Sequence, residues 1–435
     1  MNRGNASEPE EIVVRETGGD VPVVEGSLME SVVERQNLIT ALRKVERNGG
    51  SPGIDGMRVE TLKDYLKEHW PKIKQDLLWG RYEPMPVKRV EIPKPGGGKR
   101  LLGIPTVLDR FIQQAILQVL QKQWDETFSE HSYGCRPRRS VHQAIQQAQV
   151  YLRKGYSWVV DIDLEKFFDR VNHDKLMCLV KERISDIRML MLINSFLKCG
   201  LMNGKEHHST EEGTPQGGPL SPLLANLLLD QLDKELEGRG HRFARYVDDC
   251  NIYVRSKRAG LRVKANVTKY LSRKLRLKVN EAKSAVARPW QRTFLGFTFT
   301  GWMKRRVSDK AIKRFKEEVR WHTGRTRGVS VSKVISDLRV FLLGWKAYFG
   351  FGEIRSMMKE LDSWVRRRLR CYHLKQWGTN RYRELCRRGV SRDLAWNTAK
   401  SAHGPWRLSR SPALAFALPA RYFTALGLPN LYERK

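Results

Sequence analysis

The sequence predicts an α+β fold, an antiparallel sheet backed by helices, followed by a helical and strongly basic C-terminal module. Three observations carry this. Phe243, Ala244 and Arg245 lead into Tyr246-Val247-Asp248-Asp249, and Cys250, Asn251, Ile252, Tyr253 and Val254 follow, which reads as strand, tight turn, strand with the two carboxylates at the bend. Trp158 to Asp169 alternates, placing Val160, Ile162 and Leu164 on one face and Val159, Asp161 and Asp163 on the other. Beyond residue 300 the periodicity becomes helical and the charge turns sharply basic.

Taken in order, residues 1–30 are acidic, contain Gly and are weakly periodic, as expected of a flexible tail. Residues 31–79 form an N-terminal extension. Within it Val32, Val33, Leu38, Ile39, Leu42 and Val45 mark a helix over 31–48, residues 49–56 a Gly-rich loop, and 57–78 one or two further helices. Residues 80–300 mix strands and helices, with Leu223 to Leu236 a clear helix. From 301 to 435, Lys310 to Arg320, Ser332 to Phe349 and Glu360 to Trp377 read as three helices. In the last, Leu361, Trp364, Val365, Leu369 and Tyr372 make an apolar stripe, which leaves Arg366, Arg367, Arg368 and Arg370 mostly for solvent or phosphate. Residues 380–435 carry Trp396, Trp406, Arg407 and Arg410 without a clear element assignment.

An isolated Asp-Asp turn is ordinarily just a solvated bend, and a lone acidic strand end is ordinarily a hydrogen-bonded one. Together they suggest more. Adjacent carboxylates repel, and a hard cation such as Mg²⁺ neutralises them, taking one or two protein oxygens and filling its shell with water and phosphate. Two acidic strands meeting in this way suit a two-metal site for in-line nucleotidyl transfer, in which positioning and charge stabilisation supply most of the catalysis.

The wider text resembles the reverse transcriptase/maturases encoded by bacterial group II introns. The matching stretches are Glu91-Ile-Pro-Lys-Pro-Gly-Gly-Gly-Lys-Arg100, Gly103-Ile-Pro-Thr-Val-Leu-Asp-Arg-Phe-Ile-Gln-Gln114, Asp163 to Asn172, Gly213-Thr-Pro-Gln-Gly-Gly-Pro-Leu-Ser-Pro222, Tyr246 to Asp249, Leu277-Lys-Val-Asn-Glu-Ala-Lys-Ser284 and Phe294-Leu-Gly-Phe297. No single stretch is decisive; their joint order is specific. The resemblance implies right-hand polymerase fingers and palm over 80–300, with an antiparallel palm sheet, and an α-helical thumb or maturase X domain over 301–435. The compact length resembles the subgroup that lacks a DNA endonuclease domain.

Carried over residue by residue, the resemblance makes Asp163, Asp248 and Asp249 the catalytic and metal-binding triad, with the Ile162 carbonyl a further ligand. Asp163 is preferred to Asp161 because the family places an aromatic sugar gate five residues on, here Phe168; from the residues alone, Phe168 reads more readily as core beside Phe167. Lys94 and Arg100, on the Pro95-Gly-Gly-Gly98 hairpin, contact the incoming triphosphate by similarity, though an ordinary basic turn explains them as well. Gln216 matches the nucleotide-pocket glutamine, Gly217 and Gly218 permit close backbone approach, and Lys283 matches a basic position near the nucleotide. Two departures stand out. Val247 replaces the usual small Ala before the Asp pair, and Arg138 replaces a Gly in Tyr133-Gly-Cys135-Arg-Pro-Arg138-Arg139, where Arg136, Arg138 and Arg139 are expected to face nucleic acid, as are Arg366, Arg367 and Arg370.

Charge points to a nucleic-acid partner independently. The formal net charge is +33, far outside the range of a neutral globular enzyme. Residues 1–30 hold 7 acidic and 2 basic residues, whereas 301–435 hold 31 basic and 10 acidic. Such a field draws polyanions and makes binding salt-sensitive. No apolar run approaches a membrane span and no signal-peptide pattern opens the chain. The cysteines (135, 178, 199, 250, 371 and 386) are scattered, which suits reduced thiols rather than a disulfide scaffold or a zinc site. The expected partners are an RNA template and primer, deoxynucleoside triphosphates, group II intron RNA and target DNA. The expected cofactor is Mg²⁺, with Mn²⁺ as a substitute, and the expected location is the bacterial cytosol or nucleoid. A domesticated enzyme for host DNA repair synthesis and a splicing factor with a vestigial polymerase site are the competing readings.

Overall fold

The computed structural model describes residues 28–93, 99–203, 206–208, 212–214 and 217–432. The chain divides into two compact units.

The first unit comprises 28–137, 164–235 and 268–279. Its helix Val107–Trp124 buries Phe111, Ile112, Ala115, Ile116 and Leu120, and is capped by the Thr106 hydroxyl accepting from the Asp109 N–H. The N-terminal helix Arg35–Asn48 packs on it, with the Asn37 amide donating to the Ala115 carbonyl at 3.1 Å and Gln118 donating to Asn37 Oδ1 at 2.7 Å. The helix expected over 31–48 is two helices, Leu28–Val32 and Arg35–Asn48. Leu28 and Met29 are buried, so the last residues assigned to the tail belong to the core instead. The sheet of this unit has the order Lys99–Ile104, Val87–Pro93, Leu201–Asn203, Glu206–His208, antiparallel except for the parallel pair 87–93 with 201–203. The predicted helix at 223–236 is Ser221–Gly238.

The second unit comprises 138–163, 236–267 and 280–432. Its sheet is antiparallel throughout, in the order Arg242–Tyr246, Asp249–Val254, Trp158–Ile162, Ala285–Ala287. Val160, Ile162, Phe243, Ala244 and Ile252 are fully buried, and on the opposite face of the central strand Val159 is buried and Asp161 half-buried. Helix Lys257–Lys274 crosses the sheet at Gly260, where a Cβ would press into Val286 and crowd Val254. Glycine is therefore a steric requirement at that crossing. Further along stand helices Asp309–His322, Val331–Phe349 and Arg355–Trp377, matching the three expected. Phe315, Phe341, Trp345 and Phe349 form a continuous ring cluster that Phe297 joins at 5.4 Å from Phe349. The unassigned stretch after 380 is five short helices, Arg381–Arg387, Arg392–Lys400, Pro405–Leu408, Pro412–Ala417 and Ala420–Ala425. All six cysteines are free thiols. Among the described residues no helix is long and apolar enough to cross a membrane.

Candidate active site

The pairing register builds the site. Trp158–Ile162 pairs Ile162 with Cys250 and Asp161 with Asn251; continued by one residue, it sets Asp163 beside Asp249. On its other edge Asp161 pairs with Ala285, and continuation sets Asp163 beside Lys283. Tyr246 pairs with Asp249 in the hairpin. Tyr246, Asp249, Asp163 and Lys283 thus form a row across the end of the sheet. The Lys283 Nζ lies 4.0 Å from Asp163 Oδ1. Asp161 shares a sheet face with Asp163, because residues two apart on a strand point the same way.

The hairpin loop is the two-residue Val247-Asp248, so Asp248 lies in the turn while Asp249 opens the return strand rather than sharing the bend. Val247 adopts φ +58, a left-handed conformation that β-branched residues avoid. The fully buried Arg245 holds it there, its Nη1 donating to the Val247 carbonyl at 2.9 Å. Burial and then the like charges of Asp248, Asp161 and Asp163 push the Asp249 carboxyl up to about 7, with Lys283 opposing them. Its side chain remains open to solvent, so the crowding of carboxylates is the firmer of the two causes. Desolvation also raises Asp161, against the pull of Arg292.

The backbone of Asp163 is fixed from the facing loop. Its N–H donates to Ser284 Oγ at 2.9 Å, and its carbonyl accepts from the Asn280 N–H at 2.8 Å. Ile162 buries its side chain and stays in register with Cys250. Among the described residues no group of three or more His, Cys, Asp or Glu side chains converges as a ready-made metal cage. The donor set itself, carboxylate oxygens with no imidazole or thiolate, fits a hard divalent ion that completes its shell from substrate phosphates and water.

In the first unit, Phe168 sits on the 3₁₀ turn Phe167–Asp169, half-buried, with its ring 5.1 Å from Phe167 and its carbonyl accepting from the Thr214 N–H at 2.7 Å. Gly217 and Gly218 do permit close approach: a Cβ would strike the Gly103 carbonyl at the first and Gln113 at the second. Lys94 and Gln216 lie outside the described residues, as does the side chain of Arg100.

Two of the expected nucleic-acid contacts are corrected. Arg136 is buried, pairs with Asp125 at 2.8 Å and donates to the Ser129, Ser132 and Asp125 carbonyls, so it braces a loop instead of facing a ligand. Arg366 is likewise buried and ion-paired with Asp362 one turn earlier. Arg138 is exposed at φ +57, which gives a conformational reason for the Gly that the resemblance expects there; Arg139 is half-buried. Arg367 stacks 3.5 Å over Trp406 and donates to Ser409 Oγ and the Trp406 carbonyl. Arg370 donates to the Leu418 carbonyl at 3.1 Å. Both line a groove of about 780 Å³ whose walls also bear Arg306, Lys316, Lys359 and Arg410, against Asp309 and Glu360.

Sequence reasoning missed Ser284, Asn280, Arg245 and Arg292 as supports. Ser284 and Asn280 lie within the Leu277 to Ser284 stretch, but nothing local marks them as partners of Asp163, more than a hundred residues earlier.

Residues 92–299 match the reverse transcriptase (RNA-dependent DNA polymerase) family, and residues 312–389 match the group II intron, maturase-specific domain. Protein YkfC of Escherichia coli (strain K12) is 40% identical over 194 residues, 43% of this chain and 51% of that protein. The group II intron-encoded protein LtrA of Lactococcus lactis subsp. cremoris is 41% identical over 180 residues, 41% of this chain and 30% of that protein. The matches therefore span about half or less of these curated relatives. Among solved structures, a partial Cas6-RT-Cas1–Cas2 complex superimposes with a TM-score of 0.37 at 25% identity, covering 57% of this chain and 43% of that one.

Proposed function

The chain carries a reverse transcriptase domain followed by a group II intron maturase-specific domain, and from that premise we propose that it is an RNA-directed DNA polymerase that also binds and helps splice an intron RNA. The observation that carries the reading is the row of Asp249, Asp163 and Lys283 across one sheet end, with Asp248 in the adjoining turn. Three carboxylates crowded on one edge repel one another, and a polymerase uses that cost: the charge is neutralised only when the reactive complex assembles. Mg²⁺, or Mn²⁺ in its place, supplies when bound an activated primer 3′ hydroxyl and a neutralised pyrophosphate.

In this reading Asp163, Asp248 and Asp249 hold the ions, with the Ile162 carbonyl as an additional oxygen. Lys283 offers an ammonium to the triphosphate from beside Asp163. Phe168 selects deoxynucleotides by excluding a 2′ hydroxyl. The basic groove of the second unit, with Arg306, Lys316, Lys359 and Arg410 on its rim, takes the phosphate backbone of structured RNA, and its charge makes that binding salt-dependent.

Primer extension on an RNA template with Mg²⁺, comparing the wild type with Asp248→Ala, tests the reading. Long cDNA from the wild type alone is expected. Absence of cDNA from both proteins, with tight salt-sensitive RNA binding retained, would replace it by a splicing factor with an inactive polymerase site.

A further inference from the structure

Beside the acidic row lies a side-chain clamp that the proposed chemistry does not use. Arg292 directs Nε and Nη2 at Asp161 Oδ2, at 2.8 and 2.5 Å, and its Nη2 also donates to the Lys283 carbonyl at 2.5 Å. One guanidinium thus ties the central strand to the loop that precedes Ala285–Ala287. That loop is the one whose Asn280 and Ser284 grip the backbone of Asp163, and whose Lys283 presents its ammonium to the Asp163 carboxylate. Lys264 fixes the same loop from behind, donating to the Ser284 carbonyl at 2.8 Å.

Several features make this more than a surface ion pair. The Arg292 and Asp161 side chains retain 28% and 19% of their exposure, so the pair is sheltered from the screening that makes exposed bridges nearly worthless. The contact needs a planar fork serving two acceptors at once, which a lysine ammonium does not reproduce on a single rigid plane. Its two ends lie on either side of Asp163: Asp161 is two residues before it, and Lys283 is its continued-register neighbour.

We propose that Arg292 is a positioning residue for nucleotide addition, acting through Asp161 and the Lys283 carbonyl to hold the Lys283 ammonium in a fixed place beside Asp163. This rests on the polymerase reading given above. Arg292 touches neither substrate nor reacting atoms; its effect reaches the nucleotide only through Lys283. Its loss therefore falls on nucleotide binding rather than on RNA binding.

The test uses the full chain and two readouts. The first, hydrogen exchange of residues 278–288, is independent of activity: Arg292→Ala is expected to speed exchange at the Asn280 and Ser284 amides. The second is steady-state primer extension. Arg292→Ala is expected to raise the deoxynucleotide KM about tenfold, the kinetic equivalent of one charge-assisted hydrogen bond, with a smaller change in kcat and none in affinity for the primed template. Arg292→Lys is expected to behave like Arg292→Ala. Asp161→Asn keeps an oxygen acceptor for the guanidinium and is expected to be milder. In a Lys283→Ala background, Arg292→Ala is expected to add nothing further to KM, because both changes remove one effect. Unchanged loop exchange in Arg292→Ala, or KM effects of Arg292→Ala and Lys283→Ala that multiply, would overturn the proposal. A wild type that extends no primer would instead refute the polymerase reading, while the exchange readout still decides whether Arg292 holds the loop.

Discussion

Lys316, Lys359 and Arg410 line the basic groove of the second unit with their charges open or half-open to solvent, and replacing all three by alanine probes whether RNA lies there. Each phosphate contact contributes about 0.7 to 0.9 to the slope of log affinity against log salt. Losing three should therefore lower the magnitude of that slope by about 2 to 3, and weaken binding near physiological salt by roughly a hundredfold. Lys316 and Lys359 also lie 5.9 and 5.7 Å from the Trp364 and Tyr432 rings, contacts whose loss at such partly exposed sites costs only about 0.5–1 kcal/mol each. Fold and binding are thus separable. The assay is equilibrium binding of a structured RNA over 50–400 mM salt, with a thermal melt as the control on folding. An unchanged slope in a triple variant that melts like the wild type would show that RNA does not use this groove.

Other consequences follow from features of the two units. Val247→Gly should relieve about 1–2 kcal/mol of left-handed strain and return about 0.5–1 of it as unfolded-state entropy. The expected result is slightly greater amide protection in the 242–254 hairpin, and reduced protection would refute the strain account. Arg366→Ala should destabilise the chain by about 3–5 kcal/mol, because it leaves the buried Asp362 carboxylate without its counter-charge, keeping only the Leu431 N–H. A lower melting temperature is expected, with the RNA salt slope unchanged; a stable variant with a reduced slope would restore Arg366 to the binding surface. Burial, then the Arg388 charge, lowers the His373 imidazole to about 4. The unfolded chain protonates first as pH falls, so stability is full above about 6.5 and declines between 6.5 and 4, by about 3 kcal/mol in total. His373→Phe should flatten that part of the melting-temperature profile relative to the wild type, and parallel profiles would refute it.

Much of this was legible in the residues. Alternation in 158–164 identified which side chains enter the core, and the apolar runs around Tyr246 to Asp249 announced a hairpin. The helical stripes after residue 300 were long and regular enough to place three helices within a few positions. The misreadings have physical causes. Arg366 follows Val365 on the inward side of its helix, and the Asp362 one turn earlier was the available sign of a buried pair. Arg136 looked like one more cation in a basic segment, yet it satisfies a loop through four acceptors. The Arg292 contact with Asp161 joins residues far apart in the chain, brought together by the pairing of Trp158–Ile162 with Ala285–Ala287 and the turn that follows it. Strand register also turns separated acids into a row, and it depends on which residue of one strand meets which of another.

The central strand Trp158–Ile162 has a further consequence for how the protein is made. Its two neighbours, Asp249–Val254 and Ala285–Ala287, come later in the chain, so during synthesis this apolar ribbon leaves the ribosome with neither edge covered. At about 5–20 residues per second the first partner is roughly 4–17 s away. Bare edges invite pairing with the wrong chain, and a charged side chain on such a strand is a recognised deterrent. Asp161 supplies that charge. Until residue 292 is made, the carboxylate that the Arg292 guanidinium holds in the finished site is thus a charge without that partner on a strand whose edges are bare.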